Sequence, residues 1–432
     1  MAVEAIALPE RTRATLWSAV LFLAAVLFAG GMIKTVFSPL QEAARLDLKL
    51  TDFAISLVQG LATGAPIALV SIPLAWVIDH GRRVRLLIAL FAVCVVGTFW
   101  TVFATSLVSL FLARMLSALG ASCAVPVVIS LVADLCRPDQ RGRAMVVLGF
   151  GAAASAAAAF VLAGALLTLL AVHPIAALGG LAPWRGTHLL LGLAGTILLF
   201  PLFFLREPTR HEVEQQTTAL GPTIQALWAK RAFLFPLFAG QIGISMADTA
   251  ASIWATPVLI RSYHVQPAAF AGWLGAILLV DGLLGSVLGG YGADFGHKSG
   301  RRGGLLVAAV IATALGIPTA LFPVMPSIGG FQLMIFFLLL SGATTVVVAS
   351  TAVAVLIPNE ERGACMAVFS VISSIIGVSL APTIVTLGST LMGGERFLAP
   401  ALAATGLVTG VISLAGYILA MRNAPRSATQ WR

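Results

Sequence analysis

Four ionisable side chains, Lys34, Arg114, Asp248 and Asp281, stand inside long apolar runs of the 432-residue chain. A charge at the centre of a membrane helix costs roughly 2.5–3.5 kcal/mol on insertion scales, so a residue kept there is read first as functional. Asp248 has the best context. Gln241, Ser245, Asp248 and Ser252 follow i, i+4, i+7, i+11 and share one face of a helix. A polar stripe with one carboxylate can bind a polar solute. It can also carry a proton, because a carboxyl group among apolar neighbours can exchange protons near neutral pH. The alternative is an internal ion pair with Lys34 or Arg114. Those two cations suit an anionic group, although Lys34 lies near the end of its run and can snorkel, and Arg114 can pair with backbone carbonyls. Asp281 stands among Gly282, Gly285, Gly289 and Gly290, a surface suited to close packing, so it can carry a proton or bond a neighbouring helix. Gln59 and Trp254 are further candidate solute contacts, with packing the competing role for the tryptophan. Ser341, Thr344 and Thr345 carry the same ambiguity.

Other chemistries lack their residues. There is no GxxxxGK[ST] phosphate loop and no His/Cys cluster with metal spacing, so no cofactor and no metal is expected. The histidines (His80, His173, His188, His211, His264, His297) fall mostly at loops or run ends and read as solvated or interfacial. Cys94, Cys123, Cys136 and Cys365 have no paired spacing and read as small core residues. With no nucleophile, base or metal constellation, an enzyme is not expected.

The elements that must hold these residues are membrane helices. Apolar residues make up 59% of the chain and charged ones 10%, with a mean hydropathy of +1.00; a soluble domain carries about 25% charged residues. A spanning helix needs about 20 apolar residues, and runs of that kind place helices at about 15–38, 51–78, 86–105, 107–136, 143–171, 187–205, 232–260, 269–293, 303–323, 330–357, 363–391 and 397–422. The all-small stretch Ala152–Ala159 permits close helix approach. Arg11 and Arg13 precede a first helix rather than a cleaved signal, since the run continues past signal length. The net charge of +9 recurs at every second loop instead of forming one patch, which argues against nucleic acid. Arg11, Arg13, Arg82, Arg83, Arg85, Arg137, Arg141, Arg143, Arg206, Arg210, Lys230, Arg231, Lys298, Arg301, Arg302, Arg362, Arg422, Arg426 and Arg432 share the face of the termini. The opposite face has Arg45, Lys49, Arg185, Arg261 and Arg396. That asymmetry places both termini in the cytoplasm. The polar stretch 206–231, with Glu207, Glu212, Glu214, Gln215 and Gln216, reads as a linker broken by Gly221-Pro222, in which Thr223–Trp228 can form a short surface helix. It separates residues 1–205 from 232–432.

Two loops repeat half a chain apart. Gly290–Arg302 (GYGADFGHKSGRR) and Pro73–Arg85 (PLAWVIDHGRRVR) each have an aspartate, a glycine two residues on, then a basic pair; PDQRG at Pro138–Gly142 recurs as PNEERG at Pro358–Gly363. Gly290, Ala293, Asp294, Gly296, Lys298, Arg301 and Arg302 match the loop motif of the major facilitator superfamily, and Asp79, Gly81, Arg82, Arg83 and Arg85 keep it in the first copy. The resemblance implies an all-α membrane protein of twelve transmembrane helices in two pseudo-symmetric six-helix halves that rock about a midplane site, with helices one, four, seven and ten lining a central cavity. The loops then form a cytoplasmic gate of Asp79, Arg83, Asp134, Arg143, Asp294, Arg302 and Arg362. Asp79 pairs with Arg143 or Arg141, Asp294 pairs with Arg362, and glycine makes the tight reversal.

Ala113–Ala144, Ser38–Gly60, Trp254–Val265 and Gly377–Pro382 are similar to Spinster-like transporters, with Ser38–Gly60 as the first outer loop and the start of the second helix. The acids which that group carries on helices one and four are replaced here by Ala29-Gly30 and Ala121. The expectation is a secondary active transporter of the inner membrane, monomeric, with protons as coupling ion. It would move a small organic anion or amphiphile bound by Lys34, Arg114, Gln59, Gln241, Ser245, Asp248 and Trp254, with Asp248 and Asp281 carrying the proton. A hydrophobic drug or lysolipid exporter is the alternative, and a transporter-like membrane sensor that moves nothing is the alternative from another class.

Overall fold

The computed structural model describes residues 13–174, 180–210, 220–426 and 430. Arg11, Gly179, His211, Glu212, Glu214, Gln215, Gln216 and Arg432 lie outside them. The described chain is helical: α1 (Arg13–Thr35), α2 (Phe37–Asp47), α3 (Asp52–Ser56), α4 (Ala62–His80), α5 (Arg83–Val102), α6 (Leu107–Leu135), α7 (Pro138–Val172), α8 (Pro183–Leu202), α9 (Leu220–Ala229), α10 (Arg231–Arg261), α11 (Pro267–Lys298), α12 (Val307–Thr319), α13 (Ile328–Leu356), α14 (Asn359–Ile372), α15 (Ala381–Leu391) and α16 (Leu398–Asn423).

Among the described residues, eleven helical segments are long and apolar enough to cross a membrane. The twelfth span is α10, with 31 residues, whose run is interrupted by Gln241, Ser245, Asp248 and Ser252. The twelve anticipated spans are therefore present. The short linker helix is present too, as α9. Hydroxyl side chains start several helices by accepting from the first free amides: Thr51 from Ala54 N at 3.2 Å, Ser106 from Ser109 N at 3.3 Å and Ser327 from Gly330 N at 3.1 Å.

Two features depart from simple spans. The stretch from Ser38 is helical through Asp47, so the first outer loop shrinks to 48–51. Spans two and eleven each pass through a π-helical stretch, Leu57–Leu61 and Ser373–Leu380. Pro382 follows the second and has no N–H for the carbonyl one turn earlier, which favours a wider register there. A Cβ on Gly64 would stand 2.5 Å from the Ser374 carbonyl and 3.1 Å from Ser379 N, and one on Gly60 2.8 Å from Pro382 Cγ. The two π stretches thus meet almost backbone to backbone.

Small residues set the other close approaches. Gly275 of α11 lies against the Ala157 carbonyl of α7, where a Cβ would be 2.8 Å away, and Gly243 of α10 against the Thr409 carbonyl of α16 at 2.6 Å. In the repeated loop the reversal is made by Gly300 and Gly303, at φ +64° and +69°. Gly296 is still inside α11, and a Cβ there would meet Leu305 Cα at 3.1 Å; Gly81 is extended, at φ −90° and ψ −179°. The expectation that the motif glycine permits the reversal is corrected for Gly296, which permits close contact instead; Gly81 does lie in the reversal between α4 and α5, where a Cβ would be 2.6 Å from the Val77 carbonyl.

Candidate functional site

Arg114 (α6) is wholly buried. Its guanidinium donates to the carbonyls of Ile33 at 3.3 Å and Lys34 at 2.6 Å, beside the α1–α2 break, and lies 4.9 Å above the Phe37 ring. Of the two readings of Arg114, the backbone-carbonyl one is what the geometry displays. Lys34 is half-buried, and its ammonium has no hydrogen-bond or ion-pair partner among the described residues.

The carboxyl group of Asp248 enters the seam between α10 and α13 and rests on Gly342, where a Cβ would come within 2.6 Å of Oδ1. That oxygen is buried with no hydrogen-bond partner. No ion pair joins Asp248 to Lys34 or Arg114 among the described residues. The nearby hydroxyls turn elsewhere: Ser341 donates to the Ala312 carbonyl at 2.8 Å, Thr344 to Leu340 at 2.7 Å and Thr345 to Gly342 at 2.9 Å. Asp281 of α11 is buried, accepts from Gly282 N at 2.8 Å, and is close enough for its charge to reach Asp248.

The remaining candidates are engaged within the helix packing. Gln241 donates to Ser245 Oγ at 3.0 Å and accepts from the Tyr417 hydroxyl at 2.6 Å, joining α10 to α16. Trp254 is fully buried and donates to the Pro382 carbonyl at 3.2 Å. Gln59 donates to Ser38 Oγ at 3.1 Å and Gln41 Oε1 at 3.2 Å, at the face opposite the termini.

That face holds a network the sequence reading missed. Arg261 at the end of α10 grips Glu42 at 2.6 Å and Asp52 at 2.7 Å, both acids being buried. Arg45 reaches Glu42 at 2.9 Å and Glu395 at 3.4 Å, and Glu395 accepts from Asp52 N at 2.8 Å at the start of α3. Gln41 donates to the Ile253 carbonyl and Ser56 to Thr383 Oγ1 at 3.3 Å. The side-chain hydrogen bonds and ion pairs that Ser38, Gln41, Arg45, Ser56 and Arg261 make between α1–α8 and α10–α16 all lie in this layer. The clue in sequence was the acid-rich stretch 42–52 with Arg261 in an otherwise charge-poor face.

At the terminal face the candidate gate residues stay within their own set of helices. Arg83 pairs with Asp134 and with Glu207 at 3.2 Å, and Glu207 accepts from Val84 N at 2.8 Å at the start of α5. Lys230 pairs with Glu361 at 2.6 Å. Arg362 donates to the Ile357 carbonyl at 2.8 Å and Arg302 to the Ala424 carbonyl at 2.7 Å. Asp79, Arg143 and Asp294 are exposed. In this conformation Asp79 is not joined to Arg141 or Arg143, nor Asp294 to Arg362, among the described residues.

Twelve spans, charged side chains without ion-pair partners among them, and a layer of polar contacts joining the two sets of helices at one face are the features of a polytopic membrane transporter. The chain belongs to the Major Facilitator Superfamily, whose sequence model matches residues 21–382. Its fold is similar to a bacterial homologue of the human lysosomal transporter Spinster in an inward-facing, unoccupied conformation. The TM-score there is 0.83 at 20% identity, over 96% of this chain and 98% of that one. It is also similar to the nucleoside transporter NupG (TM-score 0.69, 13% identity, 94% and 99% covered) and to a D-xylose–proton symporter (0.66, 15%, 93% and 97%). No curated protein matches the chain.

Proposed function

We propose that this transporter is proton-coupled and moves an amphiphilic organic anion across the inner membrane, with both termini cytoplasmic. The two six-helix units, residues 1–205 and 232–432, rock about the crevice between them. The observation that carries the coupling is the Asp248 carboxyl group, which has a buried oxygen without a donor and no cation beside it. An ionised carboxylate left so is costly, and a proton relieves that cost. Lys34, with a free ammonium, supplies the contact for an anion. Gln241, Ser245 and the α13 hydroxyls are engaged internally, which leaves few hydrogen-bonders for a polar solute and favours one with a large apolar part. With the termini inside, the layer around Arg261 closes the outside, and the conformation opens inward.

The test begins with thermal-shift screening of purified protein at two pH values against organic anions, lysolipids and hydrophobic cations, followed by flux in proteoliposomes. A stabilising anion that accumulates under an imposed pH gradient, and no longer does so in Asp248→Asn although the variant inserts normally, supports the reading. Normal accumulation by Asp248→Asn removes Asp248 as the coupling acid. Stabilisation by hydrophobic cations alone, unchanged in Lys34→Gln, points to drug export.

A further inference from the structure

We propose that Gly342 is a positioning residue for Asp248: its missing side chain forms the seat that holds the carboxyl group inside the α10–α13 seam. The seat is specific to glycine. Even the smallest side chain would overlap the carboxyl group, with Oδ1 2.6 Å from the added carbon and the other carboxyl atoms nearer still, well inside ordinary van der Waals contact. The flanking residues Ser341, Thr344 and Thr345 direct their hydroxyl hydrogens to carbonyls of α12 and α13, so the seat supplies room and no donor. Among the described residues, the ionisable side chains whose charge bears on it are Asp281 from α11 and Tyr417 from α16, whose hydroxyl donates to Gln241; α13 contributes none. Held there, half-buried Asp248 lies within the last six helices, and the spacing of α10 and α13 sets how closely its carboxyl group is held. A change in that spacing would alter how readily the acid gains or loses its proton.

The seat follows from geometry alone, while its consequence for proton exchange rests on the coupling role proposed for Asp248. The full-length chain in detergent tests both. Gly342→Ala, Asp248→Ala and the double variant are melted. The expected result is a fall of several degrees for Gly342→Ala in the native background that largely disappears in the Asp248→Ala background. An equal fall in both backgrounds, or none in either, overturns the seat. Infrared titration of the protonated-carboxyl stretch, assigned by its loss in Asp248→Asn, supplies a readout that packing alone does not move. Gly342→Ala should shift its midpoint by about one pH unit or more, roughly tenfold in proton affinity, and an unmoved midpoint overturns the positioning role. If no Asp248-dependent band occurs at any pH, the coupling reading fails and the melting cycle alone decides the seat.

Discussion

The two cations within the spans of the first six helices, one wholly buried and one half-buried, do different things, and substitutions should separate them. Arg114 places two donors on two carbonyls beside the α1–α2 break while its plane lies over Phe37; a lysine ammonium cannot match that fork and plane. Arg114→Lys should therefore lower unfolding free energy by about 1–3 kcal/mol, the worth of hydrogen bonds to a charged group, measured by denaturation in detergent. Lys34 has no such duty, so Lys34→Gln should leave the melting temperature within a degree or two and weaken binding of an anionic ligand about tenfold or more, read by calorimetry. An equal loss of stability in both variants would show that Lys34 is structural as well. Lys34, Arg114, Asp248 and Asp281 were legible in the sequence because any charge inside an apolar run is conspicuous. Their partners were not. Whether Gln241 faces a solute or the Tyr417 hydroxyl, and whether Trp254 lines a cavity or bonds Pro382, depends on side chains 128 to 176 positions away, which helical periodicity does not specify.

Run length announced the twelve spans, but it did not announce how two of them are bent. Charges at Glu42, Arg45 and Asp47 end the apolar run of the first span, yet α2 continues as helix because its polar side chains have partners in the layer opposite the termini. The π stretches of spans two and eleven carry no hydropathy signal. They meet where Gly60 and Gly64 admit the backbone at Ser374 and Ser379, which makes their contact a hinge candidate. Gly64→Ala should force this contact apart, since the Ser374 carbonyl and the Ser379 amide, which cannot swing away, occupy the space together with the Ser379 hydroxyl. The prediction is a longer distance between spin labels on α2 and α15 at the face opposite the termini, measured by pulsed electron resonance. Gly363→Ala, at a position with open space around it, should leave that distance unchanged. Equal distances in both variants would dispose of the hinge.

Across the whole molecule the polar contacts are lopsided. Arg261, Glu42, Asp52, Arg45 and Glu395 join the two sets of helices at one face, while the repeated loops at the other keep their bonds to themselves. The sequence could announce the loops because they are written twice, but the opposite layer pairs residues more than two hundred positions apart and has no repeat to reveal it. Arg261→Gln would leave Glu42 and Asp52 buried with only Arg45 to serve them, and removing one partner of a buried charge network costs about 3–5 kcal/mol. If that cost falls on the conformation closed at this face, the alternative conformation gains by about two orders of magnitude or more. In it the terminal-face loops of the two sets come together, and the exposed Asp79 and Asp294 each approach an arginine of the other set. Cysteine pairs that span the two sets, at Asp79 with Arg362 and at Asp294 with Arg143, should then cross-link readily in the Arg261→Gln background and poorly in the native one. Cross-linking that is equally efficient in both would mean that the repeated aspartates only cap their loops, and that the layer around Arg261 stabilises the fold without governing which face is open.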